Sequence, residues 1–374
     1  MSTVAKPLAG IKVLEVAGIG PGPFCGMMLA DMGAEVLKVE PPQGDPQRRF
    51  NPISGQPWSG TGRSPFYDAV NAGKTVLAID LKSEAGKEAF GTLVGAADVL
   101  LESYRPGVLE RLGFGPRRLK DLNLSLVHCA LSGYGQTGPN RLLAGHDINY
   151  VASTGAFSAS GIPEKPVLTW PPAADYASAL QAALTITGAL VARARTGKGA
   201  HLDVSLSESM LAWQAFGMIA AAGEGQAGRG RNLLNGGAAC YQIYATEDGR
   251  FITLGALEAH FWANFCAAVE RPEWTERQHD PLPQTDLIAE AASLIGAEPL
   301  AHWQALLNDV DCCYYAVLDY AEARADPHVK ARGLVTEGKS GIGVSFAAFV
   351  DGEGPEPRPA VEDVDLETAL ERWG

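Results

Sequence analysis

Apolar residues in the first third of the chain fall into short runs separated by longer amphipathic segments. Runs of this length predict β-strands, and they occupy 11–18, 35–40, 75–81, 98–104 and 124–135. The intervening segments 24–33 and 86–97 have the composition of helices. Strands that alternate with helices in this way predict an α/β fold, with a parallel, doubly wound sheet in a Rossmann-like large domain.

The rest of the chain predicts a long helix and, after it, a second, smaller α+β domain. The segment 175–195 has no proline and is rich in alanine and leucine, which favours one long, largely buried helix. Apolar runs around Asp248-Gly249 predict a β-hairpin with these two residues as its turn. The predicted division is 1–222 for the large domain and 223–325 for the small domain, with 326–374 returning to the large one.

Composition narrows the class of protein. A chain of 374 residues is long enough for two lobes, and 46% hydrophobic with 20% charged residues is typical of a soluble globular protein. The net charge of −13 disfavours a nucleic-acid partner. We expect neither a secretory signal nor a membrane span, hence a cytoplasmic location. The six cysteines lack the spacing of metal ligands, so no metal site is predicted.

Six side chains with binding chemistry follow or precede predicted strands, where ligands bind in open α/β sheets. An arginine fork can grip a phosphate or carboxylate, and an aromatic ring can flank a base. Convergence on one phosphorylated ligand explains their positions, and solvated strand termini explain them equally well. These candidates are Lys38, Asn71, Lys74, Ser103, Tyr104 and Arg105.

The stretch "AGHDINY" contains a histidine and a carboxylate, His146 and Asp147, beside a glycine. With Asp175, His146 has the residue type of a general base on one side of a substrate carbon. The alternative is structural, because a carboxylate is also favoured at the start of a helix. Glu258 ends a predicted strand, where it is either solvated or orients a cationic partner.

The order of several motifs resembles a known family. They are "PLAGIKVLEVAGIGPGPFCGMMLADMGAEVLKVE", "NAGKTVLAIDLK", "ADVLLESYRPGVLERLGFGP", "LSGYGQTGPNRLLAGHDINY", "RTGKGAHLDVSL", "DGRFITLGALEAHFW" and "DPHVKARGL". From about Leu8 to Leu334 the chain resembles the family III CoA-transferases, the CaiB/BaiF group. Within that group it is most similar to the alpha-methylacyl-CoA racemase branch.

The resemblance implies an activity and site residues. In the racemase branch, residues matching His146 and Asp175 are bases on the two faces of the α-carbon of a 2-methylacyl-CoA, and the match to Glu258 holds the histidine. The enolate formed between the two proton transfers needs hydrogen-bond donors, and we expect backbone N–H groups at the helix start beside Asp175 to supply them. In the transferase branch the match to Asp175 is instead a nucleophile toward the acyl-CoA thioester.

The family also implies the ligand and the assembly. The phosphates and adenine of CoA would meet the six candidates named above, Asn71 among them. CoA is part of the substrate, and we expect no permanently bound cofactor, no metal and no membrane partner. The family forms intertwined homodimers, so an interlocked dimer is expected here too.

Two departures from the racemase pattern keep the transferase as an alternative. Pro171 stands where the pattern has an asparagine four residues before the aspartate. The glycines that usually follow the aspartate are replaced within "YASAL", which begins at Tyr176. These changes bear on the protonation of Asp175 and on the room for the acyl chain.

Overall fold

The computed structural model describes residues 6–224, 228–338 and 341–373. The chain forms two compact units. Unit 1 runs to Val151, takes in Trp170–Trp213 and resumes at Asp326, whereas unit 2 consists of Ala152–Thr169 and Gln214–Ala325.

This division differs from the predicted one at two segments. The sequence analysis placed 152–169 and 214–222 in the large domain, and the structure assigns both to unit 2. Hydrogen bonds within unit 2 explain the first assignment. The Arg229 guanidinium donates to the carbonyl oxygens of Phe157 (3.2 Å) and Ile162 (3.1 Å), and the Asn235 amide donates to that of Ala159 (3.0 Å).

The strands are short, as expected for a compact α/β chain. They are β1 (Lys12–Val16), β2 (Glu35–Glu40), β3 (Thr75–Ala78), β4 (Val99–Glu102), β5 (Val127–Ser132), β6 (Gly161–Ile162), β7 (Lys165–Pro166), β8 (Ala200–Ser205), β9 (Tyr241–Ala245), β10 (Phe251–Gly255), β11 (Tyr314–Ala316), β12 (Val335–Gly338), β13 (Gly341–Val344) and β14 (Glu362–Val364).

The helices range from single turns to one of 24 residues. They are α1 (Pro21–Asp31), α2 (Pro65–Asn71), α3 (Glu84–Ala96), α4 (Val108–Arg111), α5 (Pro116–Leu122), α6 (Asp147–Ala152), α7 (Ala156–Ala159), α8 (Ala173–Thr196), α9 (Leu206–Ala212), α10 (Ala215–Ile219), α11 (Ala259–Ala268), α12 (Thr285–Ile295), α13 (Leu300–Leu307), α14 (Tyr320–Ala325), α15 (Pro327–Arg332) and α16 (Leu366–Trp373). Short 3₁₀ segments lie at Pro46–Arg49, Leu233–Asn235 and Pro272–His279, and a π-helical turn lies at Ala220–Glu224.

The large sheet of unit 1 confirms the predicted fold class. Within the described residues it has seven strands in the order β14-β3-β2-β1-β4-β5-β8, all of them parallel. Apolar side chains of β1, β2 and β3 form one core with α3, α5 and α16. Because successive strand residues point to opposite faces, Glu15 and Lys38 face the other side, toward α1.

Helix α8 covers the predicted long helix but is buried on one face only. Ala174, Ala182 and Ile186 are fully buried, whereas Leu184 is 68% and Val191 55% exposed. By length and composition α8 is apolar enough to cross a membrane, and in unit 1 it packs on α1 and α9. An exposed apolar face of this kind is compatible with a partner subunit, and the homodimer stays a prediction.

Unit 2 contains the predicted hairpin with a different turn. Strands β9 and β10 are antiparallel, and β11 extends them to a three-stranded sheet. The Thr246 N–H donates to the Arg250 carbonyl (2.9 Å), so the loop has three residues and not two. Gly249, with φ 73°, supplies the left-handed position that such a loop requires. Trp262, Phe265 and Trp303 lie in the core of this unit.

Gly26 tests how tightly α1 packs over the buried side chains of β1. A Cβ at Gly26 would lie 1.9 Å from Glu15 Oε2, whereas one at Gly188, in the middle of α8, would meet no atom within 4 Å. We therefore expect Gly26→Ala to destabilise the protein by about 1–3 kcal/mol. The control Gly188→Ala should stabilise it by about 0.5–1 kcal/mol, because alanine favours a helix. Urea denaturation measures both, and a stabilising Gly26→Ala would contradict the packing described here.

Candidate active site

A cavity of about 200 Å³ lies in unit 1 beyond the carboxyl ends of the central strands. It brings together His146, Asp175, Ser103, Tyr104 and Arg105, five of the residues predicted from the sequence. Its other lining residues are Ile19, Pro21, Pro106, Leu131, Ser132, Gly133, Tyr134, Arg141, Leu143, Gly145, Tyr150 and Leu206.

Asp175 is the third residue of α8 and is partly buried in the cavity wall. Burial, and to a lesser extent the Asp147 carboxylate, raises the pKa of its carboxyl to about 6, while His146 opposes both effects. The backbone of Gly20 lies close to the same carboxyl, since a Cβ at Gly20 would be 3.1 Å from Asp175 Oδ2. A carboxyl with this pKa exchanges protons readily near neutral pH.

The start of α8 is capped by a carboxylate from another helix. Asp147 Oδ1 accepts the backbone N–H groups of Ala174 (2.6 Å) and Asp175 (3.1 Å). Pro172, the residue before the helix, provides no side-chain cap. This corrects the expectation that N–H groups beside Asp175 meet an enolate oxygen, because those of Ala174 and Asp175 already have an acceptor.

His146 lies on a fixed loop with its side chain exposed. Its backbone N–H donates to Asn149 Oδ1 (3.0 Å), and its carbonyl accepts the N–H of Asn149 (2.8 Å). The Tyr150 hydroxyl donates to the Gly145 carbonyl (2.6 Å). His146 therefore begins a helix, as the structural interpretation held, and also presents its imidazole to the cavity that contains Asp175.

The turn after β4 supplies the polar wall of the cavity. Glu102 Oε2 accepts the Tyr104 N–H (2.7 Å), and the Ser103 hydroxyl accepts the Gly18 N–H (3.3 Å). These bonds fix the turn, and Arg105 next to it is exposed. The sequence analysis missed Arg141, a second exposed cation of the cavity. Its position five residues before His146 was the available signal.

Lys38, Asn71 and Lys74 are not among the residues that line this cavity, and their predicted contact with CoA stays a prediction. Their side chains are buried, at 0%, 1% and 1% exposure. Lys38 Nζ contacts Glu15 Oε1 (3.2 Å), Asp45 Oδ2 (3.2 Å) and the Ala17 carbonyl (2.5 Å).

Lys74 completes the same buried cluster. Its ammonium contacts Glu15 Oε2 (2.8 Å), the Pro23 carbonyl (2.7 Å) and Asn71 Oδ1 (3.0 Å). An ammonium has three donors, so both lysines are saturated by protein acceptors. Burial lowers the pKa of Lys74 to about 8 in spite of Glu15. The cluster is a structural element of unit 1.

Glu258 belongs to unit 2, directly before α11, and its side chain is exposed without capping that helix. Its contact with His146 stays a prediction.

Among the described residues, no group of three or more His, Cys, Asp and Glu side chains is arranged to hold a metal ion.

The residues that replace the glycines after Asp175 point away from the cavity. Ala177, Ser178 and Ala179 are buried, and the Ser178 hydroxyl donates to the Asp175 carbonyl (3.1 Å). The Tyr176 ring packs on Phe24, with 4.3 Å between the centroids. Within unit 1 these substitutions therefore leave the cavity next to Asp175 open.

Sequence comparison identifies the family of the chain. The sequence profile of CoA-transferase family III matches residues 8–354. The chain belongs to CoA-transferase family III. The family III fold agrees with solved structures, since a CaiB/BaiF family protein from Brucella suis has a TM-score of 0.83 and 27% identity, with 98% of each chain covered.

Relatives of the chain include racemases and CoA-transferases. Alpha-methylacyl-CoA racemase of Mus musculus is 35% identical over 94% of this chain and 85% of its own length. Acetyl-CoA:oxalate CoA-transferase of Acetobacter aceti is 30% identical over 99% of this chain and 97% of its own. Both names are those of enzymes, so membership in family III indicates that this chain is an enzyme.

Proposed function

We propose that the chain is an acyl-CoA racemase that interconverts the 2R and 2S forms of a 2-methylacyl-CoA. One observation carries this proposal: His146 and Asp175, two side chains able to accept and return a proton, line one cavity. The pKa of Asp175, about 6, suits proton transfer near neutral pH.

The reaction follows from the acidity of the α-carbon beside a thioester. One base removes the α-proton, and the C–H electron pair moves into an enolate whose charge lies on the thioester oxygen. The conjugate acid of the other base then protonates the opposite face and gives the second epimer. A hydrogen-bond donor at that oxygen stabilises the enolate.

The CoA portion requires cations and an aromatic surface near the same cavity. Arg105 and Arg141 are exposed there, and Tyr104 lies beside Arg105. Guanidinium groups bind phosphate oxygens by paired hydrogen bonds, even in a protein with a net charge of −13. These residues, with Ser103, form our proposed CoA-binding wall, and Glu258 is proposed to hold the His146 imidazole.

A CoA-transferase is the second candidate. It is favoured by the similarity to acetyl-CoA:oxalate CoA-transferase along 99% of this chain. In that reaction the Asp175 carboxylate attacks the thioester carbonyl, forming an acyl-aspartyl anhydride and expelling CoA thiolate. The CoA thiolate then attacks the aspartyl carbonyl of this anhydride, which releases the donor acid and leaves an aspartyl-CoA thioester. The acceptor carboxylate displaces CoA thiolate from that thioester to form a second anhydride. The thiolate finally takes the acceptor acyl group and frees the Asp175 carboxylate.

Incubation of a single (2S)-2-methylacyl-CoA in D₂O, without an acceptor acid, separates these activities. The racemase replaces the α-proton by deuterium and forms the 2R epimer, both of which NMR detects. Absence of exchange, combined with CoA transfer to an added carboxylic acid and a hydroxylamine-sensitive adduct on Asp175, would replace our first proposal by the second.

A further inference from the structure

Two aspartates, Asp147 and Asp175, lie at the N-terminus of α8. An aspartate in the first turn of a helix is normally stabilised in its charged form by the free backbone N–H groups there. In α8 the Asp147 carboxylate, which comes from α6, accepts two of these N–H groups, those of Ala174 and Asp175. It therefore uses donors that would otherwise favour ionised Asp175.

The sharing places two carboxylates at the positive end of a single helix dipole. Asp147 is satisfied by its hydrogen bonds of 2.6 and 3.1 Å. The Asp175 carboxyl lies in a partly buried cavity wall, and the negative charge of the Asp147 carboxylate disfavours its ionisation. Like charges in a partly buried site cannot both ionise freely.

We propose that Asp147 is a positioning residue whose negatively charged carboxylate occupies the N-terminus of α8 and so keeps Asp175 ready to take up a proton. The proposal deepens the function proposed above and rests on Asp175 as the reacting carboxyl. It assigns Asp147 a role through Asp175, distinct from any contact of its backbone with substrate.

The choice of test variant depends on which charged neighbours affect the ionisation of Asp175. His146 favours the charged form of the Asp175 carboxyl and so lowers its pKa. The charge of Asp175 in turn raises the pKa of the Tyr150 and Tyr176 hydroxyls. Asp147 is the carboxylate whose charge acts on Asp175 within the described part of the chain, and an isosteric amide can replace it. The titratable and charged groups that line the cavity or interact with Asp175 are Tyr104, Arg105, Tyr134, Arg141, His146, Asp147, Tyr150 and Tyr176.

The test measures the protonation of Asp175 directly, by carbon NMR of protein labelled at its aspartate carboxyls. The Asp175→Asn variant identifies the Asp175 signal. In Asp147→Asn the cap retains an acceptor oxygen but loses its charge, so the Asp175 titration midpoint should fall by about one pH unit or more. Asp147→Ser, which also provides an uncharged acceptor, should produce a shift in the same direction. Asp121→Asn, an exposed aspartate of α5, should leave the midpoint unchanged.

A purely structural cap gives a different result. In that case Asp147→Asn and Asp147→Ser leave the Asp175 midpoint where it is in the unmodified protein, which overturns the proposal. Where turnover is present, the acidic limb of the pH profile for α-proton exchange should move with the NMR midpoint. An unmodified protein that shows no exchange contradicts the racemase, and the titration still decides the role of Asp147.

Discussion

Replacing Asp175 with asparagine is expected to stop the interconversion of the two epimers. The amide cannot accept the α-proton, and a positioned general base contributes about 10²–10⁴-fold to rate. We therefore expect kcat/KM for epimer interconversion to fall by about that factor. Chiral analysis of the product from each pure epimer gives the value, with Asp121→Asn as a matched loss of one carboxylate outside the cavity.

Deuterium incorporation by the two single variants shows whether the reaction uses two bases. Asp175→Asn should still exchange the α-proton that His146 faces, whereas His146→Ala should still exchange the one that Asp175 faces. Each variant then incorporates deuterium from only one starting epimer and does not interconvert the two. Interconversion by Asp175→Asn at a rate within about tenfold of the unmodified protein would exclude Asp175 as a base, since the general-base contribution is larger than that.

Removing the charge of Glu15 is expected to cause the largest loss of stability. Glu15 is fully buried and pairs with two buried ammonium groups, those of Lys38 and Lys74. Glu15→Gln leaves these cations without their shared counter-charge in a site that excludes water. Breaking such a buried pair costs about 3–5 kcal/mol in the free energy of unfolding, which urea denaturation measures.

An exposed ion pair provides the comparison. Lys6 and Glu356 are 3.0 Å apart with side chains 49% and 76% exposed. Glu356→Gln should therefore change the free energy of unfolding by less than about 1 kcal/mol, and less still in high salt. If Glu15→Gln were as mild as this control, the lysines would have another way of being stabilised.

Local patterns predicted much of unit 1. The alternation of apolar runs and amphipathic segments was enough for the parallel sheet, because strands covered on both faces have short, strongly apolar sequences. The position of His146 and Asp175 near one edge followed from the same alternation. Both residues flank apolar helices, and placing them near the same end of the sheet was sufficient to expect them in one site.

Interactions between distant residues explain what could not be predicted. Lys38 is a polar residue in an apolar strand, and its burial depends on Glu15 and Asp45, which no local pattern links to it. The contact of Asp147 with the start of α8 likewise joins residues 27 and 28 positions apart. The assignment of 152–169 to unit 2 depends on Arg229, far along the chain.

The division of unit 1 into three chain segments has a consequence for synthesis on the ribosome. Unit 2 ends at Ala325, whereas the large sheet of unit 1 gains its edge strand only when Glu362–Val364 pairs with β3. Domains generally fold as units while the chain emerges. The later unit in the sequence can therefore finish folding first, while β3 waits with one side open for a strand that is translated almost three hundred residues after it.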